Sequence, residues 1–376
     1  MFKKVLFISG TRADYGKIKP LAKIVDKCKN YIVSFAVTGM HLSKLHGYTF
    51  FQIKKDFKNN KLFKFDNFND SMDISLSKSI NGFNKIISNF NPDVIIIHGD
   101  RVEALAASIV GHLKKILVCH IEGGEISGTV DDSMRHAISK MANIHFVSNK
   151  RAKKILMQLG ETDKYIYIIG SPEVDVMIGK KLPDLNIVKK KYMINYNEYA
   201  IVCFHPDVNE KKDVLNQYIH RTMEAVANSK KNFVIIYPNN DQNFRVILNC
   251  YNKYKNNKNI KLIPSIRFEY YLTLLKSSSA IIGNSSSGVR EAPVYKVKTI
   301  NIGFRQSRRT NNPLIINLDL KSIPKKFDKI IDKKVTYQKK YSFLFGNGKS
   351  DTKFFKVLNT KKFWSTPTKK EFKIIL

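Results

Sequence analysis

The chain is punctuated by short apolar runs, each closed by glycine or polar residues and followed by a stretch whose apolar residues lie three and four apart. KVLFISG, YIVSFAVTG, DVIIIHGD, ILVCHIEGG, IHFVSN and YIYIIGS are the runs of the first half. YAIVCFHP, NFVIIYPNN, IKLIPS, AIIGNSSS and TINIGFR follow in the second. Runs of this length, rich in Ile and Val, predict buried strands. Segments such as KIKPLAKIVDKC, RVEALAASIVGHLKK, LNQYIHRTMEAVANSKK, RFEYYLTLLKSS and SGVREAPVYK predict amphipathic helices between them. Strands alternating with helices imply right-handed crossovers and a parallel sheet covered on both faces. The rhythm breaks at GSPEVDVMIGKKLPDLN, where glycines and two prolines interrupt it. The expectation is an α/β protein of two Rossmann-like domains, residues 1–171 and 172–350, with residues 351–376 a helical segment that packs back toward the first. A length of 376 residues agrees, being more than one core sustains.

In such sheets ligands bind at the carboxyl ends of the strands, so a cleft between the halves is the expected site. Polar residues gather at those ends. Thr11, Arg12, Asp14 and Lys17 follow the first run, Asp100 follows DVIIIHG, and Glu122 follows ILVCHI. His205 follows YAIVCF, and Asn284, Ser285, Ser286 and Ser287 follow AIIG. Structural explanations compete with chemical ones. Asp100, and Asp131 with Asp132, can cap the helices they precede, and His205 before Pro206 can be a satisfied buried histidine. Glu122 is followed by two glycines, which points to close backbone approach. GNSSSGVREAP reads as a small-residue loop entering a helix, a geometry that binds phosphate, with plain capping as the alternative. Neither a GxxxxGK[ST] loop nor a GxGxxG fingerprint is present. Arg12, His205 and the serines together suit a diphosphate, and Glu291 suits a ribose diol. Phe268 and Tyr270 suit a uracil ring, although an apolar helix face explains them equally well.

Composition adds mainly exclusions. The net charge is +34, yet the lysines are spread through almost every segment beside Asn and Ile, without a nucleic-acid-binding signature. A lysine-rich coding bias on solvated faces accounts for this, so neither nucleic acid nor membrane is expected as a partner. Small anions would still be drawn in by such a field. The apolar run in MFKKVLFISG is short and followed at once by the polar TRADYGK, so a first buried strand is expected there rather than a signal peptide, and no stretch approaches the roughly 18 apolar residues of a membrane span. Cys28, Cys119, Cys203 and Cys250 are scattered, with no CxxC pair to suggest zinc or redox chemistry. A cytoplasmic location with reduced thiols is expected.

Taken as a set, GTRADYGKIKPL, VTGMHL, IIHGDRVEALAA, CHIEGGEISGTVDDSMRHAISK, IGSPEVDVM, FHPDVNE, YPNND, PSIRFEYYLTLL, GNSSSGVREAP and GFRQSRR resemble one family over about residues 1–310. It is that of the hydrolysing UDP-N-acetylglucosamine 2-epimerases, which make N-acetylmannosamine for bacterial sialic acid synthesis. The resemblance implies a GT-B fold with the active site in the cleft between two Rossmann-like domains. It also implies a reaction without metal or other cofactor, and a homo-oligomer. Position by position, Asp100, Glu122 and Asp131 match the family's catalytic acids and His205 its histidine motif. Arg12, Ser285, Ser286 and Glu291 match nucleotide-binding positions. Lys17, His41, Arg135, Asn239, Ser287 and Arg305 lie in matched motifs and are expected, with Phe268 and Tyr270, to bind the UDP-sugar. Non-hydrolysing members more often read GTRPE and GHRRE where this chain reads GTRAD and FHPDVNE. Hydrolysing relatives usually read FHPVTTE, so Asp207, Val208 and Asn209 are a departure.

The implied reaction explains the need for several carboxyl groups. The proton at C2 is not acidic, so UDP leaves C1 as a base removes it, giving 2-acetamidoglucal. Water then adds at C1 while an acid protonates the opposite face of C2. Asp100 and Asp131 are expected to handle the protons at C2 and at the water, with Glu122 positioning or assisting as a second acid/base. Rival expectations are the same chemistry on UDP-2,4-diacetamido-2,4,6-trideoxyglucose, non-hydrolysing epimerisation, and a GT-B glycosyltransferase.

Overall fold

A computed structural model describes residues 2–68, 71–126, 130–179, 182–206, 211–239, 241, 243–306, 312–333 and 344–370, with backbone alone at 130, 131 and 324–328. The chain divides into two compact units. The first comprises Met1–Glu125, Asp131–Gly179 and Phe345–Leu376, the second Ile126–Val130 and Lys180–Leu344.

The first unit is built on seven strands: β1 Lys3–Ser9, β2 Tyr31–Val37, β3 Lys61–Lys64, β4 Val94–His98, β5 Leu117–Ile121, β6 Ile144–Val147 and β7 Ile166–Ile168. Their order is β3-β2-β1-β4-β5-β6-β7, all parallel. The period of two sorts each strand onto two buried faces. Val5, Phe7, Val33, Phe35, Val94 and Ile96 join one core with Ile18, Leu21 and Val25 of helix Arg12–Asp26. Leu6, Ile8, Ala36, Ile95, Ile97 and Val118 join the other, with Phe83 and Ile87 of helix Met72–Phe90 and Ala107 and Val110 of helix Val102–Leu113.

Helix Pro172–Ile178 lies against helices Arg12–Asp26 and Ser350–Leu358, so it belongs to the first unit and the chain leaves that unit at 179/180. Asp175 fastens this join, accepting from the Ser350 and Asp351 N–H groups at 3.0 and 2.8 Å, while burial holds its carboxyl above the ordinary range. Phe354 and Leu358 then sink into the first core, Phe354 edge-on to Phe146 at 4.8 Å, and Trp364 stacks on Tyr31. Fully burying a side chain the size of Phe354 contributes about 1.5–3 kcal/mol.

The second unit has six parallel strands: β8 Ala200–Cys203, β9 Phe233–Ile236, β10 Ile260–Ile263, β11 Ala280–Gly283, β12 Lys298–Ile302 and β13 Ile315–Leu318, in the order β10-β9-β8-β11-β12-β13. Its core sets Ala200, Val202, Ile235, Ile282 and Ile300 against Leu215, Ile219, Met223 and Val226 of helix Lys212–Asn228. Two strands escape the sequence pattern. β3 and β13 are short edge strands whose residues are mostly half-buried or exposed, so neither shows a continuous apolar run. The helix expected over SGVREAPVYK is a single turn, Ser287–Arg290, followed by a 3₁₀ turn, Ala292–Tyr295, because Pro293 has no N–H with which to continue the ladder. Among the described residues no helix is long and apolar enough to cross a membrane.

Candidate active site

The carboxyl ends of β1, β4 and β5 carry the acids. Glu122, immediately after β5, takes a left-handed backbone conformation, φ +63°, although it is not glycine. Such a conformation costs about 1–3 kcal/mol and persists where the surroundings impose it. Here they do. The Glu122 N–H donates to the Phe146 carbonyl at 2.9 Å, and the residue is buried. Its Oε1 accepts from the Ser171 hydroxyl, and its Oε2 lies 3.1 Å from His98 Nε2. Lys17 Nζ stands 3.9 Å from Glu122 Oε2 and 2.6 Å from Oε2 of Glu173, whose side chain is 0% exposed. Two buried carboxylates therefore share one ammonium. Lys17, also expected to bind substrate, lies within this cluster.

The two glycines after Glu122 answer to packing. A Cβ on Gly124, φ +76°, would lie 2.3 Å from the Ala152 carbonyl oxygen of helix Lys150–Gln158. The close approach inferred from the sequence is real, and its partner there is this helix.

Asp100 does not occupy the N-cap of the helix that follows. That position is Arg101, and its side chain makes no capping bond. The Asp100 carboxylate accepts from Arg135 of helix Val130–Met141, and Arg135 also donates to Asp132 Oδ1 at 2.6 Å and to the Glu125 carbonyl at 2.9 Å. Burial opposes the charge of this guanidinium, but Asp100, Glu125 and Asp132 outweigh burial and hold its pKa above the ordinary value. Arg135, also expected to contact substrate, holds the Asp100 carboxylate. His120 secures the same region from below. Its ring lies 2.7 Å from the Gly99 carbonyl through Nε2 and 3.0 Å from Ser139 Oγ through Nδ1. Burial pushes it down to about 3, so it is neutral at pH 7 and ties the turn before Asp100 to the helix of Arg135. The backbone of Asp131 lies in that helix, and its side chain falls outside the described residues.

At the end of β1, Thr11 and Asp14 form a capping box, and Asp14 accepts from the Gly10 and Thr11 N–H groups at 3.0 and 2.9 Å. Arg12 is therefore the first residue of its helix. His41 is fully buried, with Nε2 at 2.9 Å from Ser9 Oγ and Nδ1 at 2.6 Å from Thr49 Oγ1. Burial pushes it down to about 4, Asp14 opposing and the Arg12 charge assisting. Both His41 nitrogens are thus engaged by the fold, and the ring braces the loop that presents Arg12.

In the second unit the nucleotide candidates converge at the ends of β8, β9 and β11. His205 and Asn284 bond reciprocally: the His205 N–H donates to Asn284 Oδ1 at 2.7 Å, and Asn284 Nδ2 donates to the His205 carbonyl at 2.8 Å. The Asn239 N–H donates to His205 Nδ1 at 3.1 Å, which places the proton of the neutral ring on Nε2. Asn239 Nδ2 reaches Asp241. Gly283, φ +127°, lets β11 close on β8; a Cβ there would lie 2.2 Å from the Cys203 carbonyl oxygen. The Cys203 thiol lies 3.5 Å from His205 Nε2, and burial pushes it up to about 11 against the opposing influence of Ser285. Ser286 is the N-cap of the short helix, and the Ser287 hydroxyl meets the Tyr271 hydroxyl. Arg305 Nη1 and Gln306 Nε2 both donate to the Asn284 carbonyl, at 3.3 and 3.2 Å. Glu291 is buried one turn beyond. Phe268 is also buried, whereas the Tyr270 ring is partly exposed between Lys191 and Arg267, with Tyr192 edge-on. The departure at Asp207, Val208 and Asn209 lies outside the described residues.

The geometry adds His98, Ser171 and Glu173 to the candidates. The first sits in HGD and the others in GSPE, directly after the glycine that reads as a boundary. The first unit thus holds carboxylates with distinct partners and burial, a condition for separate acid and base roles. The second unit offers donors suited to a phosphate group.

A family profile described as UDP-N-acetylglucosamine 2-epimerase matches residues 23–359. A UDP-N-acetylglucosamine 2-epimerase of Neisseria meningitidis is 41% identical over 98% of both chains. A protein of Legionella pneumophila named UDP-N,N'-diacetylbacillosamine 2-epimerase (hydrolyzing) is 30% identical over 96% of both. The fold matches the crystal structure of Methanocaldococcus jannaschii UDP-GlcNAc 2-epimerase in complex with UDP-GlcNAc and UDP, with TM-score 0.79 and 21% identity, over 94% of this chain and 99% of that one.

Proposed function

The chain belongs to the UDP-N-acetylglucosamine 2-epimerase family, and we propose that within it the enzyme is a hydrolysing member, converting UDP-N-acetylglucosamine and water to N-acetylmannosamine and UDP. Its product would supply sialic acid synthesis. The observation that carries the hydrolytic reading is the similarity, along 96% of both chains, to a relative whose name states hydrolysis. GTRAD at the first loop, in place of GTRPE, supports it.

In the first half-reaction the C1–O bond breaks, UDP departs with the electron pair, a base takes the C2 proton, and a C1=C2 double bond forms. In the second, the oxygen of water adds to C1 and a proton is delivered to the opposite face of C2. Asp100, oriented by Arg135, and Asp131 handle the protons at C2 and at the water. Glu122, in its buried cluster, serves as the further acid/base. Arg12, His205, Asn239, Ser285, Ser286, Ser287 and Arg305 offset the charge that develops on UDP, Glu291 holds the ribose, and Tyr270 and Phe268 flank the uracil. Donors fixed in advance stabilise a departing diphosphate without reorganising during the reaction.

The test is proton NMR of the product mixture from UDP-N-acetylglucosamine. Free N-acetylmannosamine and UDP in equal amounts are expected. UDP-N-acetylmannosamine without free UDP would overturn hydrolysis. Turnover of UDP-2,4-diacetamido-2,4,6-trideoxyglucose alone would move the reading to the substrate class that the Legionella relative's name suggests.

A further inference from the structure

We propose that Glu173 is a positioning residue that acts through Lys17 to set the protonation of Glu122. The proposal rests on the preceding reading only in giving Glu122 protons to move. Glu173 is fully buried, and a buried carboxylate is costly unless a cation stands beside it. Lys17 Nζ meets that need at 2.6 Å, and the same ammonium is 3.9 Å from Glu122 Oε2. An ion pair kept only for packing gains little over an apolar pair of the same volume. What an apolar pair cannot do is hold a cation at a graded distance from a third group.

Several elements supply the described groups that face Glu122. Helix Arg12–Asp26 supplies Lys17, β4 supplies His98, Ser171 at the N-cap of helix Pro172–Ile178 supplies its hydroxyl, and that helix supplies, through Lys17, Glu173. Asp175 of the same helix is bonded to Ser350 and Asp351 instead. An ammonium closed onto Glu122 would favour the carboxylate strongly and leave a poor proton donor. Glu173 draws the ammonium toward itself and adds a negative charge to the cluster, and both effects ease protonation of Glu122. A group that must give and take protons near neutral pH needs that balance.

Two substitutions therefore act with opposite signs. Glu173→Gln lets Lys17 close on Glu122 and removes a like charge, which lowers the titration midpoint of Glu122. Lys17→Met removes the cation and raises it. The experiment is carboxyl-¹³C NMR of the full chain labelled with [5-¹³C]glutamate, without substrate, the Glu122 resonance being the one lost in Glu122→Gln. The midpoint is expected to move down by about one pH unit or more in Glu173→Gln, and up by a similar amount in Lys17→Met. The pH profile of UDP release should follow in the same directions. A midpoint unmoved in both variants overturns the proposal, and so does a shift of the same sign in both. Should Glu173→Gln fail to fold, Glu173→Asp decides in its place: the shorter carboxylate draws the ammonium away from Glu122 and raises its midpoint, and an unmoved or lowered midpoint overturns the proposal. Because the titration needs no substrate, its outcome stands apart from whether the enzyme is hydrolytic.

Discussion

Arg135→Met removes the cation that orients Asp100. In the native chain Arg135 is 3% exposed and spans Asp100, Asp132 and the Glu125 carbonyl. Its carboxylate neighbours outweigh burial in holding its charge. Breaking a fully buried pair by truncating one partner costs about 3–5 kcal/mol. The side chains of Asp100 and Asp132 are 28% and 17% exposed, so water compensates part of the loss. About 2 kcal/mol of stability is the expected cost after that discount, read as a lower urea midpoint at unchanged slope. The functional cost should be larger. A reacting carboxylate displaced by about 1 Å loses on the order of a hundredfold in rate, so kcat should fall by that factor with little change in KM. Arg135→Lys keeps the charge but replaces a planar fork by a point donor that cannot span three acceptors, and should fall between. The reasoning is refuted if Arg135→Met folds, loses under about threefold in kcat/KM, and Arg135→Lys is indistinguishable from it.

Other residues give further tests. Gly124→Ala combines φ +76° with a Cβ 2.3 Å from the Ala152 carbonyl oxygen, and should lower stability by about 2–4 kcal/mol in urea unfolding. Glu161 is held down to about 2, where burial opposes and His145 and Lys370 prevail. A depressed carboxyl stabilises the fold above its unfolded pKa and loses that contribution as pH falls. Glu161→Gln should therefore be less stable at pH 7 by about 3 kcal/mol, with the gap closing between about pH 4.5 and 2 in thermal melts. Asn284→Ala removes the reciprocal bonds to His205, each contributing about 1 kcal/mol, and should weaken UDP binding by about tenfold in calorimetry.

The sheets were legible where both faces are buried. β1, β4, β5, β8 and β11 are continuous apolar runs because helices cover both sides of them, whereas β3 and β13 at the edges are too short and too exposed to announce themselves. Strand-end position also marked Asp100, Glu122 and His205 as candidates. The partners of those residues were not legible. Arg135, Lys17 and His41 sit in the expected motifs, and sequence spacing does not reveal the bonds that each also makes to the protein's own groups. Glu173 was hidden for a related reason: its pairing with Lys17 crosses most of the first unit's sequence. Within helix Pro172–Ile178 it looks like an ordinary acid in a first turn.

The most direct test of hydrolytic elimination is NMR of the products formed from UDP-N-acetylglucosamine in deuterated water. The account predicts N-acetylmannosamine with a single deuterium at C2, released together with an equal amount of UDP. N-acetylmannosamine retaining protium at C2, or UDP-N-acetylmannosamine as the sole product, would contradict it.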